Sequence, residues 1–241
     1  MPPSTGWSGD ISNSARRDCP NLSAYTFVMR PGPTDEQKNQ RQTARRHLSK
    51  DPVIARLIAR YPDFDPRAWL SELPKMDAFG VLIFQVIGQQ LSVKATRVIF
   101  DRLRTQYRGK VPSPRQILAT RPARLRKVGL SARKVATLRA LAKKFVHERL
   151  NLAKLKNLTD EEILELLTSV AGIGPWTVQG FLIIALDRDD VVLPGDLALR
   201  RAIKQAYRLD RLPSQDEVLE LSQPWRPYRS PGDGVFVSIG V

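Results

Sequence analysis

The chain has 241 residues, enough for one or two domains with a sizeable core. Its 39 lysines and arginines against 24 aspartates and glutamates give a net charge of +15 and a pI near 10.4, so a polyanionic partner is expected. One cysteine, Cys19, excludes an internal disulfide and a four-cysteine iron–sulfur cluster, and two histidines, His47 and His147, exclude a histidine-rich metal centre. The longest apolar stretches, Phe79 to Ile87 and Phe181 to Leu186, are too short for a bilayer, and no secretory pattern follows Met1. An intracellular protein without membrane attachment is therefore expected.

Residues 1–33 are rich in Pro, Ser, Gly and Asn without periodicity and read as a loosely ordered leader. Thr34-x-x-Gln37 has the form of a capping box before a very basic helix, and Asp51-Pro52 opens a short helix with Val53, Ile54, Leu57 and Ile58 on one face. From Met76 to Gln90 nearly every position is apolar, which predicts the buried axis of a helical bundle. That run stops at Gly88-Gln89-Gln90-Leu91, and Ser92 can cap a following helix that carries Lys94, Arg97, Arg102 and Arg104.

Ser113-Pro114 and Pro122 start two short helices. Leu125 to Lys134 then has the layout helix, glycine, cap, helix, where Ser131 and Lys134 either grip a phosphate or merely border an interhelical turn. Thr159-Asp-Glu-Glu162 is a capping box, and Ile163, Leu166, Leu167 and Val170 form a helical apolar stripe. The stripe leads into Gly172-Ile173-Gly174-Pro175-Trp176-Thr177, a hairpin between two helices with proline at the first position of the second. Such a hairpin presents backbone N–H groups at a helix N-terminus, and its glycines let a phosphate come close. Asp196, in Leu193-Pro-Gly-Asp-Leu, is a further N-cap, and Ser214-Gln-Asp-Glu217 repeats the capping box. Apart from a short extended piece at residues 191–193 no alternating strand is found, so the chain is predicted to be all-α.

Three ordered motifs carry a resemblance: Val86-Ile-Gly-Gln-Gln-Leu-Ser-Val-Lys-Ala95, then Val170-Ala-Gly-Ile-Gly-Pro-Trp-Thr177 with Leu193-Pro-Gly-Asp-Leu197, then Pro224-Trp-Arg-Pro-Tyr-Arg-Ser230. Together they resemble the helix-hairpin-helix DNA glycosylases, and Pro175-Trp176 is most similar to the 3-methyladenine DNA glycosylase II branch, which removes alkylated bases. The resemblance implies a helix-hairpin-helix glycosylase fold with two helical subdomains and the active cleft between them. Residues 76–196 would form the central barrel, with the helix-hairpin-helix at about 160–187, and residues 34–75 with 197–241 the second bundle.

It further implies hydrolysis of the N-glycosidic bond of a flipped 3-methyladenine or 7-methylguanine type of base, with Asp196 as the catalytic aspartate and Trp176 in the base pocket. Gln90 would fill the gap left by the extruded nucleotide, with Leu91 second. Gln89, Ser92, Lys94, Gly172, Ile173, Gly174, Thr177, Ser131 and Lys134 would complete the DNA surface. Double-stranded DNA with damaged bases would be the partner of a monomer that needs no cofactor; a monovalent cation on the 170–174 carbonyls, as in relatives, is left open. Relatives that also cut the strand place a lysine near the start of the second hairpin helix, where an amine forms a Schiff base. Residues 175–179 contain none, which implies a monofunctional enzyme. A glycosylase for mismatched or deaminated pyrimidines and a non-catalytic helix-hairpin-helix module are the competing readings. One departure stands out: after Ser230 the family continues as a helix that walls the pocket, whereas Pro231-Gly-Asp-Gly with Gly240 is expected to break it.

Overall fold

The computed structural model describes residues 34–60, 65–67, 69–70 and 73–238. The leader assigned to residues 1–33 lies outside the described residues. Thirteen α-helices occur among them: α1 (Asp35–Leu48), α2 (Pro52–Arg60), α3 (Ala78–Gly88), α4 (Val93–Gln106), α5 (Pro114–Ala119), α6 (Pro122–Arg126), α7 (Ala132–His147), α8 (Leu152–Lys156), α9 (Asp160–Thr168), α10 (Pro175–Ala185), α11 (Leu197–Tyr207), α12 (Gln215–Leu221) and α13 (Arg229–Ser238). No strand occurs among the described residues, and residues 191–193, read as extended from the sequence, pair with no neighbour. No described helix is long and apolar enough to cross a membrane.

The apolar patterns become two cores. In the first, α3 packs against α4, α7 and α10, while α9 packs on α10 and α5 and α6 on α7. Residues 78 to 87 of α3 are all buried, because this helix is enclosed on every side. Asp77 starts it by accepting a hydrogen bond from Gly80 N at 2.7 Å. The second core joins Leu48, Ile54 and Ile58 of the N-terminal helices to Leu199, Ile203, Val218, Trp225, Val235 and Phe236. There Phe236 stacks on Trp225, with ring centroids 5.2 Å apart. Asp51 accepts from Tyr207 Oη at 2.5 Å and Trp225 Nε1 at 3.3 Å, while its other oxygen caps α2.

The connection from α10 to α11 runs between the cores and is fastened on both sides. Arg67, only 7% exposed, pairs with Asp187 and Asp189 and donates to Arg188 O. Arg229 pairs with Asp190, Arg188 with Asp160, and Ser230 Oγ accepts from Val191 N at 3.0 Å.

The tail overturns the expectation of a helix break, since α13 runs from Arg229 to Ser238. Pro231 stands in the first turn, where a backbone N–H would have no helical partner. A Cβ at Gly232 would lie 3.0 Å from Trp225 Cε3, and one at Gly234 would overlap the Pro66 carbonyl oxygen. The glycines weaken helix propensity, by about 1 kcal/mol each, but allow an approach that any side chain would prevent. Between them Asp233 is 4% exposed; its Oδ2 accepts from Leu193 N at 2.8 Å and its Oδ1 has no partner.

Burial pushes the Asp233 carboxyl well above its ordinary 3.8, against the lowering by the Leu193 amide; Asp196 adds to the rise and Arg229 opposes it. The folded state therefore holds this proton more tightly than the unfolded chain, and the associated stability is complete below about pH 4 and declines as pH rises above it. Asp233→Asn keeps an acceptor for Leu193 N–H and removes the ionisable group. Its melting temperature should exceed that of the wild type at neutral pH, by about 2–4 °C for each kcal/mol relieved, and the difference should vanish near pH 3. Thermal melts across that range check this.

Candidate functional site

Three turns and one helix start carry the residues expected to form the site. In the hairpin joining α9 and α10, Gly172 adopts φ +90°, and a Cβ there would overlap Thr137 Oγ1, which itself donates to Ala171 O at 3.1 Å. Gly174 has φ −107°, with nothing of the protein within 4 Å of where its Cβ would stand. The first glycine thus serves the fold, and the second leaves room outside it. The amides of Gly174 and Trp176 make no hydrogen bond among the described residues and form an anion-seeking helix start.

The turn after α3 lies beside the hairpin. Gln89 Nε2 donates to Gly172 O at 2.9 Å and to Thr177 Oγ1 at 3.0 Å, so the amide ties the two turns together. Gln90 follows in the left-handed region at φ 59° and is exposed, as is Leu91 at 40%. Ser92 caps α4 through Ala95 N at 3.2 Å, and Lys94 is exposed on its first turn.

The structure turns several expected contact residues inward. Ile173 is 5% exposed, packs in the first core, and donates its N–H to Val170 O. Thr177 is 2% exposed, with its hydroxyl on Gln89 and its N–H on Gly174 O. Their side chains frame the hairpin instead of reaching outward. Lys134 is likewise engaged: Nζ donates to Ile87 O at 2.8 Å and Gln89 O at 2.9 Å, two carbonyls at the end of α3 that would otherwise lack partners. Burial lowers its affinity for a proton. Ser131 is exposed and caps α7 through Lys134 N at 3.2 Å. The hairpin carbonyls of Val170, Ala171 and Gly172 each accept a hydrogen bond, leaving one lone pair apiece toward any cation.

Asp196 begins α11. Its Oδ1 accepts from Ala198 N at 2.8 Å and Leu199 N at 3.0 Å, while Oδ2 faces Trp176 Nε1 at 3.4 Å. Capping therefore occupies one carboxylate oxygen and leaves the other at a half-buried indole. The Leu193 peptide fixes the approach, with its C=O on Asp196 N at 2.9 Å and its N–H on Asp233. Asp233 escaped the sequence reading because its role depends on α13 folding. Between two glycines it carried no local signal.

Residues 83–227 match the HhH-GPD superfamily of base excision DNA repair proteins. The chain is 33% identical over 187 residues to DNA-3-methyladenine glycosylase 1 of Schizosaccharomyces pombe, covering 76% of this chain and 81% of that protein. A putative DNA-3-methyladenine glycosylase of Bacillus subtilis is 34% identical over 173 residues, 69% of this chain and 60% of that one. Among solved structures, the S. pombe 3-methyladenine DNA glycosylase Mag1 in complex with abasic DNA is similar with a TM-score of 0.75 at 32% identity, covering 81% of this chain and 95% of that one.

Two substitutions separate frame from contact. Lys134→Met should lower stability by about 1.5–3 kcal/mol, the scale of hydrogen bonds to a charged group, while leaving the salt dependence of duplex affinity unchanged. Gly174→Ala should leave the melting temperature within a few degrees of wild type and weaken duplex binding by roughly tenfold or more, the loss of about one charge-assisted hydrogen bond. Melts and affinities over a salt series read both; a slope about one unit shallower for Lys134→Met would instead make that ammonium a phosphate contact.

Proposed function

The chain belongs to the HhH-GPD superfamily of base excision DNA repair proteins, and from that membership we propose that it is a DNA glycosylase that hydrolyses the N-glycosidic bond of alkylated bases in double-stranded DNA. The observation that carries the reading is the pairing of the Asp196 carboxylate with the Trp176 indole, 3.4 Å apart, beside a hairpin whose Gly174 and Trp176 amides have no partner among the described residues.

Hairpin amides and exposed cations hold the backbone phosphates, and Gln90, with Leu91 next to it, occupies the gap when a nucleotide is extruded. An alkylated purine carries positive charge, so the π face of Trp176 favours it over a neutral base. As the bond to the sugar breaks, positive charge develops on the sugar and the Asp196 carboxylate stabilises it; the same group orients the attacking water. The cationic base departs readily, so no second acid is required. With no lysine in residues 175–179, no amine stands ready for a Schiff base, and the product is an intact abasic strand.

Incubation with methylated duplex and chromatography of released bases tests the activity directly. Asp196→Asn keeps the size and the capping oxygen, since asparagine caps nearly as well as aspartate. Its single-turnover rate should fall by about two orders of magnitude or more while lesion affinity stays close to wild type, because the lost interaction belongs to the transition state. Wild-type-like release by that variant would remove Asp196 from the chemistry. Borohydride should trap no enzyme–DNA adduct.

A further inference from the structure

Gln85 lies on α3 one turn before Gln89 and is only 8% exposed, yet its carboxamide makes no hydrogen bond to any described residue. Neither amide atom is among those sealed from solvent without a partner, so the group borders an opening. The amide nitrogen stands where a side chain of residue 180 would begin: a Cβ at Gly180 would overlap it. Gly180 is one turn beyond Trp176 on α10, and helical side chains lean toward the N-terminus, so the space above Gly180 adjoins the indole. A hydrogen-bonding amide from α3, a stacking face from α10 and the carboxylate at the start of α11 are thereby brought together along one face of α10.

Helix propensity and an apolar helix interior would by themselves select neither residue of this pair. An apolar side chain would fill the place of Gln85 in a helix whose neighbouring positions are apolar and buried, and a glycine inside α10 lowers helix propensity. Each makes sense with the other and with a ligand, for Gly180 makes the room that Gln85 uses. We propose that Gln85 is a specificity-determining residue that reads the extruded base, its carbonyl accepting from the exocyclic amine of an adenine-type purine and its NH2 donating to the adjacent ring nitrogen. This rests on the glycosylase reading above and adds an edge-reading contact to the stacking of Trp176.

The test uses the full chain and two free bases as competitors of excision from methylated duplex: 3-methyladenine, and 3-methylpurine, which lacks only the exocyclic amine. The wild type should be inhibited about tenfold more strongly by 3-methyladenine, as a bidentate base contact provides. Gln85→Met, of similar volume, should bring that ratio to about one. Gly180→Ala, which displaces the amide without deleting it, should do the same and covers the case in which the first variant fails to fold. Equal inhibition of the wild type by the two bases overturns the proposal, as does a preference that survives in either folded variant. Failure of the wild type to release any base removes the glycosylase reading and this proposal with it, whereas release without the amine preference removes this proposal alone.

Discussion

One carboxylate must do two things at once in this molecule. Asp196 has to satisfy the N-terminal amides of α11, which fixes one oxygen, and it has to present the other at the indole of Trp176, which fixes the direction of the first. Neither can be met unless the residues before Asp196 are held, and most of the polar contacts around the 187–196 connection serve that end. Asp187 and Asp189 are taken by the buried guanidinium of Arg67, Asp190 by Arg229, Val191 by Ser230 and Leu193 by Asp233. The connection makes no strand and belongs to no helix; side chains from both cores do for it what a sheet ladder does elsewhere.

The same economy of contacts operates at the two turns that face outward. Gln89 binds the hairpin carbonyl of Gly172, and Lys134 binds the carbonyls that end α3, so the left-handed turn at Gln90 is supported from beneath on two sides. Arg139 plays a comparable part at the end of α5, donating to the carbonyls of Ile117, Leu118 and Thr120. Both cations come from α7. A surplus of positive charge read from composition therefore overstates what faces a partner, because some of it is spent on helix ends inside the frame.

Much of this was legible before folding. Capping boxes, proline positions and the 3.6-residue stripes locate helices such as α9, α10 and α12, and Gly-Ile-Gly-Pro-Trp and Asp196 mark the hairpin and the start of α11, because these signals are local in sequence. What could not be read depends on which faces meet. Ile173 and Thr177 lie within the hairpin motif yet are buried, one in the first core and one against Gln89, a matter of helix phase at a turn too short for periodicity to define. Lys134 looked like a surface cation because its partners are forty-odd residues upstream. The tail was misjudged for a related reason: propensity treats a helix as if it stood alone, whereas Gly232 and Gly234 are read correctly only against Trp225 and Pro66.

The fastening of the 187–193 connection has a mechanical consequence. A cleft between two cores can close on its target by a hinge when the strands of chain crossing between them are loose. Here the crossing from α10 to α11 is held by a guanidinium at 7% exposure and by α13, so a hinge within residues 187–193 would break several polar contacts together. A stiff crossing shifts deformation to the other party. On the proposed reading the duplex would have to bend to bring one nucleotide to Asp196, at an elastic cost of about 1–6 kcal/mol for a bend of roughly 40–90°, and a lesion that has already softened its own stack would bend more cheaply than sound DNA. On that reading, stiffness in the protein becomes a means of finding weakness in the helix it inspects.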